Sequence, residues 1–209
     1  SFVLFKKMKN FLKNLFICPI FLFFFSIASA NQSDFNNWLM EFKKTAKQNG
    51  VSDSTIDQVL TNAVYLEKVI EYDNRQPEFF EKTKTYISKR ASKRAVKKAL
   101  IVLKENELIF KKVEKEFNVN KEILLALWST ETNFGNNLGK MDIVSSLATL
   151  SFDKRRSKFF TKELLTLLKL VDNKIIKKDT LYGSWAGALG NFQFMPSSIS
   201  NHAIDYDKD

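Results

Sequence analysis

From Asn31 to the end of the chain, apolar residues recur at three- and four-residue spacing, and no stretch of useful length alternates apolar with polar. That period buries one side of a helix and denies the chain the pattern of a half-buried sheet. Phe35, Trp38, Leu39 and Phe42 form a first stripe, which Gln48-Asn49-Gly50 ends. Ser52 or Asp53 caps a second helix carrying Ile56, Val59, Leu60 and Ala63. Pro77 interrupts the pattern inside Asp73-Asn74-Arg75-Gln76-Pro77-Glu78-Phe79, because Pro cannot sit in a helix interior. Helical character returns over 80–87. The Lys- and Arg-rich segment 89–98 reads as a solvated face leading into a longer stripe through Leu100, Leu103, Leu108, Ile109 and Val113. Segments 145–150 and 159–171 give two more helices. The expected fold is mainly α. With 209 residues, 44% of them hydrophobic, one domain with an ordinary core is expected.

Residues 1–30 stand apart from that domain, which is expected to occupy 31–209. Lys6, Lys7, Lys9 and Lys13 form a basic head, 15–27 an apolar run, and Ala28-Ser29-Ala30 a small-residue end. This is the pattern of a secretory signal peptide starting at Met8 and cleaved after Ala30. The run is shorter than the roughly 20 residues a membrane-spanning helix needs, so membrane anchoring is not expected. Cys18, the only cysteine, lies inside that run. The exported part then has no thiol for a disulfide, a nucleophile or a metal site. His202 is the only histidine, so a Ser–His–Asp or Cys–His mechanism has almost nothing to draw on. Acid–base chemistry must come from carboxylates. Four of the 33 Lys and Arg and none of the 23 Asp and Glu fall in the first thirty residues, which takes the net charge from +10 to +6. No basic patch with a recognisable motif accompanies that charge, so no nucleic-acid partner is expected.

One carboxylate is placed unusually. Ile123-Leu124-Leu125-Ala126-Leu127-Trp128-Ser129-Thr130-Glu131-Thr132-Asn133-Phe134-Gly135 reads as a helix that begins after Asn120 and stops at Gly135. Leu124, Leu127 and Trp128 precede Glu131 by seven, four and three residues, which aligns Glu131 with the apolar stripe. A carboxylate in a desolvated line holds its proton more readily, as a general acid must. The alternative is a Glu on a helix shoulder, partly exposed in the last turn. Further on, Gly183-Ser184-Trp185-Ala186-Gly187-Ala188-Leu189-Gly190-Asn191-Phe192-Gln193-Phe194-Met195-Pro196-Ser197-Ser198 gathers three of the chain's six glycines with three aromatic rings and the amide of Gln193. Small residues let backbone approach a ligand or another element closely. Rings beside Gln193, which offers both donor and acceptor, suit a sugar such as an N-acetylated one. Tight helix packing around a hairpin would use the same residues.

Five blocks carry a resemblance. Glu131-Thr132-Asn133-Phe134-Gly135, Leu147-Ala148-Thr149-Leu150-Ser151-Phe152, the 183–190 glycine block, Gln193-Phe194-Met195-Pro196-Ser197-Ser198 and the earlier 73–79 segment resemble, in that family's order, the membrane-bound lytic murein transglycosylase B family. The resemblance implies a lysozyme-like lytic transglycosylase domain in the periplasm. Its action would be on peptidoglycan glycan strands, cleaving the MurNAc–GlcNAc bond without water to leave a 1,6-anhydro-MurNAc end. It places the single catalytic carboxylate on Glu131 and sugar contacts on Ser184, Gln193 and Phe194. Tyr86 matches a substrate-contacting tyrosine, and Arg155 and Arg156 an arginine pair. Asn191-Phe192 departs from the Tyr-Gly that relatives often carry there.

A single carboxylate suffices when the substrate's acetamido group replaces the second. Asp142, Asp153 and Glu163 are the available second carboxylates, each read as surface charge; a catalytic one would favour a hydrolytic muramidase. A non-catalytic peptidoglycan-binding module is the other alternative. Asp205, Asp207 and Asp209 match the first three ligand positions of an EF-hand-like loop. The chain is expected to be incomplete at its C-terminal end, so no cofactor is required of it, and Ca²⁺ would belong to a longer chain. Cell-wall synthesis proteins are the further partners left open.

Overall fold

The computed structural model describes residues 18–75, 82–204 and 206, with side chains from residue 31 onward. The basic head, the side chains of the apolar run, residues 76–79 of the Pro77 segment, and Asp205, Asp207 and Asp209 lie outside the described residues. The described chain is helical almost throughout. Helix α1 (Cys18–Gln48) runs through Ala30 and ends where Asn49-Gly50 was expected to end it. Then come α2 (Asp53–Leu60), α3 (Glu67–Asn74), α4 (Thr83–Arg90), α5 (Lys93–Glu105), α6 (Glu107–Phe117) and α7 (Lys121–Thr132). Helices α8 (Ile143–Phe152), α9 (Ser157–Asp172) and α10 (Pro196–His202) complete the set. Among the described residues, no helix is long and apolar enough to cross a membrane.

Two short strands pair antiparallel, β1 (Met141–Asp142) with β2 (Tyr182–Gly183), in the register Met141 to Gly183 and Asp142 to Tyr182. A two-residue strand is too short for alternation to reveal it. The stripe expected to run unbroken from Leu100 to Val113 is two helices. Asn106 divides them, its side chain and its own N–H both bonding the Val102 carbonyl, which competes with the helical ladder.

Helix α8 is the hub. Every residue from Ile143 to Ser151 is buried, because α9, α3 and α1 all pack on it. Its small residues let those neighbours approach, and most of its hydroxyls are spoken for. Ser145 donates to Asp142 at 2.5 Å and accepts from the Val64 N–H at 3.0 Å; Thr149 accepts from the Leu66 N–H at 3.0 Å. Around it lie Phe35 and Phe42 of α1, Ile56 and Leu60 of α2, and Phe160, Leu164 and Leu167 of α9. Phe152 meets Phe35 and Tyr65 edge-on at 5.8 and 5.9 Å between ring centres. By contrast, α4, α5 and α6 bury no residue, and α7 buries only Leu125 and Thr132. The Leu100 and Leu108 stripes are helical, as expected, but stand open.

The last residue of α9 closes the core. Ser52 caps α2 by accepting from the Thr55 N–H at 3.3 Å. Asp172 then takes the Ser52 hydroxyl at 2.5 Å, the Thr55 hydroxyl at 2.6 Å and the Ser52 N–H at 3.2 Å. A carboxylate that is unfavourable at the end of its own helix is thereby set at the start of another. Those hydroxyl bonds hold Asp172 below the usual aspartate range, with desolvation opposing them. A depressed folded pKa contributes stability that is present above the unfolded value of about 3.9 and is lost as pH falls through the folded value. An Asp172→Ala variant should therefore melt lower than the parent at pH 6, and the gap should shrink in acid below pH of about 3.9. A gap unchanged between pH 6 and pH 2 would show that the ionised form contributes nothing.

Candidate active site

Helix α7 forms where expected. Asn120 caps it, accepting from the Glu122 N–H at 2.9 Å. Its end comes earlier than Gly135: the helix stops at Thr132, and Asn133, Phe134 and Gly135 all take left-handed conformations with φ of 51°, 60° and 76°. Asn enters that region readily, but a bulky Phe does so only when its surroundings compel it. Lys98 of α5 supplies part of that constraint. Its ammonium donates to the Asn133 carbonyl at 3.1 Å and side chain at 2.8 Å, and lies 5.1 Å from the centre of the Phe134 ring. A cation at the C-terminal end of a helix is also favoured by the helix dipole.

Glu131 is in line with Leu124, Leu127 and Trp128, but that line is not buried. Leu127 is 48% exposed and Glu131 itself is exposed. The expected desolvation is therefore absent. The reason is that α7 turns Leu125 and Thr132, not the Leu127 line, toward its neighbours. The spacing located a face correctly and its environment wrongly.

That face opens onto aromatic rings. Phe134 meets Trp128 at 5.5 Å, Trp128 meets Phe192 at 6.5 Å, and Phe192 stacks on Phe194 at 5.9 Å. Trp128, Phe192 and Leu124 also line a cavity of about 500 Å³ that reaches Phe110, Phe117 and Tyr206. Glu131 stands one turn beyond Trp128, outside that cavity.

The glycine block supplies a second wall, which meets that face through Phe192 and Phe194. Ser184 N–H bonds the Ala188 carbonyl at 2.8 Å, and Ala188 N–H bonds the Ser184 hydroxyl oxygen at 3.0 Å, closing a tight turn after β2. Gly187, at φ 89°, lies against the hub helix: a Cβ there would come within 2.4 Å of the Leu147 side chain. A second turn follows, Leu189 and Phe194 exchanging two backbone bonds of 3.0 Å with Gln193 near its tip. Gln193 donates its amide N–H groups to the Leu138 and Gly190 carbonyls at 3.1 and 3.0 Å. Its donors are thus used by the fold, and among the described residues only its side-chain oxygen stays open to a ligand. The reading as tight packing around a hairpin is what these contacts show.

The remaining candidates are placed unequally. Arg155 and Arg156 converge on Asp73, the first residue of the Pro77 segment. Arg155 Nε donates to its carboxylate at 2.8 Å and Nη2 to its backbone carbonyl at 2.6 Å, while Arg156 binds the other carboxylate oxygen. An acid in one block and an arginine pair in another were the sequence signal for this joint. Tyr86 sits on α4 under the Arg90 guanidinium, 4.9 Å from its ring centre, and is exposed. Asp142 caps α8 through the Val144 N–H at 3.0 Å, and Asp153 accepts from the Arg155 N–H at 2.9 Å. Glu163 is not surface charge. It is 1% exposed and accepts from the Ser197 N–H at 2.8 Å and hydroxyl at 2.6 Å. Its place on the buried line of α9 with Phe160, Leu164 and Leu167 was legible in the helical spacing. No cluster of three or more acidic, His or Cys side chains suited to a metal occurs among the described residues.

The described residues thus form a helical domain with an exposed carboxylate at a helix end, a row of rings and a glycine-rich block. The chain belongs to the family described as the transglycosylase SLT domain, which it matches over residues 34–209. It is 30% identical over 176 residues to membrane-bound lytic murein transglycosylase B of Escherichia coli, an alignment covering 79% of this chain and 49% of that protein. Among solved structures it is similar to SltB3 from Pseudomonas aeruginosa in complex with NAG-NAM-pentapeptide, with a TM-score of 0.80 and 30% identity over 84% of this chain and 47% of that one. The E. coli lytic transglycosylase Slt35, in complex with bulgecin A, gives a TM-score of 0.72 and 29% identity over 82% and 55% of the two chains. The chain thus spans about half the length of the relatives it matches.

Proposed function

We propose that this chain is the catalytic domain of a periplasmic lytic transglycosylase that cleaves the MurNAc–GlcNAc β-1,4 bond of peptidoglycan and leaves a 1,6-anhydro-MurNAc end. The observation that carries the reading is the distribution of carboxylates. Asp142, Asp153 and Glu163 are each engaged by the fold, whereas Glu131 is free on the aromatic face. One candidate carboxylate left unengaged suits a reaction in which the substrate supplies the second group. Glu131 gives its proton to the GlcNAc O4 as the bond to MurNAc C1 breaks, while the MurNAc acetamido oxygen shields C1. The C6 hydroxyl oxygen then bonds C1 and returns its proton to Glu131. A glycan laid along Trp128, Phe192 and Phe194 would remove the water that favours the charged carboxylate, so desolvation comes with the substrate.

Ser184 and the free Gln193 oxygen contact the sugar, Phe194 faces it, and Tyr86, Arg155 and Arg156 contribute further out. SltB3 has also been solved with NAG-anhNAM-pentapeptide, a ligand of the anhydro type proposed as product here. The 1–30 segment serves as the export signal. A second reading, a module that binds peptidoglycan without cutting it, draws on the exposure of Glu131. The experiment is recovery of the protein from the periplasm of an expressing bacterium, N-terminal sequencing, and digestion of purified sacculi with mass spectrometry of the products. An N-terminus at Asn31 and 1,6-anhydromuropeptides are expected. Reducing-end MurNAc would mean that water attacks, and binding without release would establish the non-catalytic module.

A further inference from the structure

We propose that Thr132 and Asn191 form a clasp that positions Glu131 against the wall carrying Ser184 and Gln193. The inference rests on Glu131 as the acid of a lytic transglycosylase and assigns residues that set its geometry. Thr132, next in sequence to Glu131, is 0% exposed, although the helix face beside it is open. Its hydroxyl donates to the Asn191 carbonyl at 2.7 Å and accepts from the Gly135 N–H at 3.0 Å. The Asn191 side-chain oxygen accepts from the Trp128 indole N–H at 3.1 Å. The residue after Glu131 and the residue one turn before it are therefore both tied to one residue of the wall.

The third element gathered here is the left-handed turn. A Cβ on Gly135 would come within 2.7 Å of the Asn191 side-chain oxygen, so turn and wall are in close approach. Three successive positive φ values persist only where surroundings over-determine them, and the buried Thr132 hydroxyl with Lys98 does so. Glu131 lies between these anchors, and Gln193 follows Asn191 by two residues. An acid displaced by even an ångström from the leaving oxygen loses rate on the order of 10²-fold while substrate contacts persist. The clasp thus acts on turnover more than on binding. Neither residue need touch substrate.

The test uses the full protein and soluble peptidoglycan glycan strands, with kcat and KM measured separately and melting followed for each variant. Thr132→Val keeps the shape and removes the hydroxyl; it should lower kcat about tenfold or more with KM nearly unchanged. Thr132→Ser restores the hydroxyl and should recover most of kcat, which a purely steric role would not give. Asn191→Leu, at an exposed position, should fold and lower kcat several-fold through loss of the Trp128 bond alone. A folded Thr132→Val with parental kcat overturns the proposal, as does Thr132→Ser impaired as severely as Thr132→Val. Should Thr132→Val fail to fold, undiminished kcat in Asn191→Leu overturns it. If the unsubstituted protein releases no product, the reading of the site falls and the positioning role with it; the other failures arise only with an active parent.

Discussion

Replacement of Glu131 by Gln is expected to abolish release of 1,6-anhydromuropeptides while leaving the fold intact. Gln keeps the size and hydrogen-bonding capacity of the side chain but can neither give the proton to the leaving oxygen nor take one from the C6 hydroxyl. In the proposed reaction Glu131 serves in both halves, and Asp142, Asp153 and Glu163 are held elsewhere, so no neighbour is expected to substitute. A loss of at least about 10²-fold follows from removing a positioned acid–base group. The melting temperature should not move, since an exposed side chain removes no packing. Binding of glycan should survive, as Ser184, Gln193 and the rings are untouched. Sacculus digestion with the variant measures this, and undiminished product would take Glu131 out of the mechanism.

The second large effect concerns stability. Glu163→Ala should destabilise the protein by about 3 kcal/mol, because it removes an enclosed side chain and leaves the half-buried Ser197 N–H and hydroxyl without their acceptor. For a chain of this size that is a fall in melting temperature of roughly 6–12 °C. Glu163→Gln should cost far less: its oxygen can take the N–H while its amide donates to the serine hydroxyl. Equal melting of the Ala and Gln variants would mean that the bonds to Ser197 contribute little. The effect matters at the site because Ser197 lies in the first turn of α10, and Gln193 lies just before that helix.

Helical class, most helix boundaries and the family were legible in the sequence because they depend on local spacing and on blocks that survive in order. Ser52 and Asn120 could be read as caps since a cap needs only its own next turn. Burial was less legible. Glu131 and Glu163 both lie in line with apolar residues, yet the first is exposed and the second enclosed. What separates them is the number of elements packed on α9 and on α7, a property of topology that no single helix contains. The Asp73 joint with Arg155 and Arg156 bridges more than eighty positions, and the Asn191 clasp about sixty. Pairings at such range leave no periodic trace. The early end of α7 went unseen because a left-handed Phe134 depends on Lys98, far upstream.

The uneven burial of the helices divides the chain into two tiers of stability. The tier of α1, α2, α3, α8 and α9 encloses the hub, whereas α4 to α7 offer little enclosed surface to one another. Segments of the second kind open with less free energy than whole-molecule unfolding requires. Helix α7, which carries the proposed acid, sits in that softer tier and is tied through Asn191 to the loop before α10. Catalytic competence can therefore be lost at a temperature where calorimetry still finds a folded protein. Amide exchange in α7 would reveal that loss before any melting curve did.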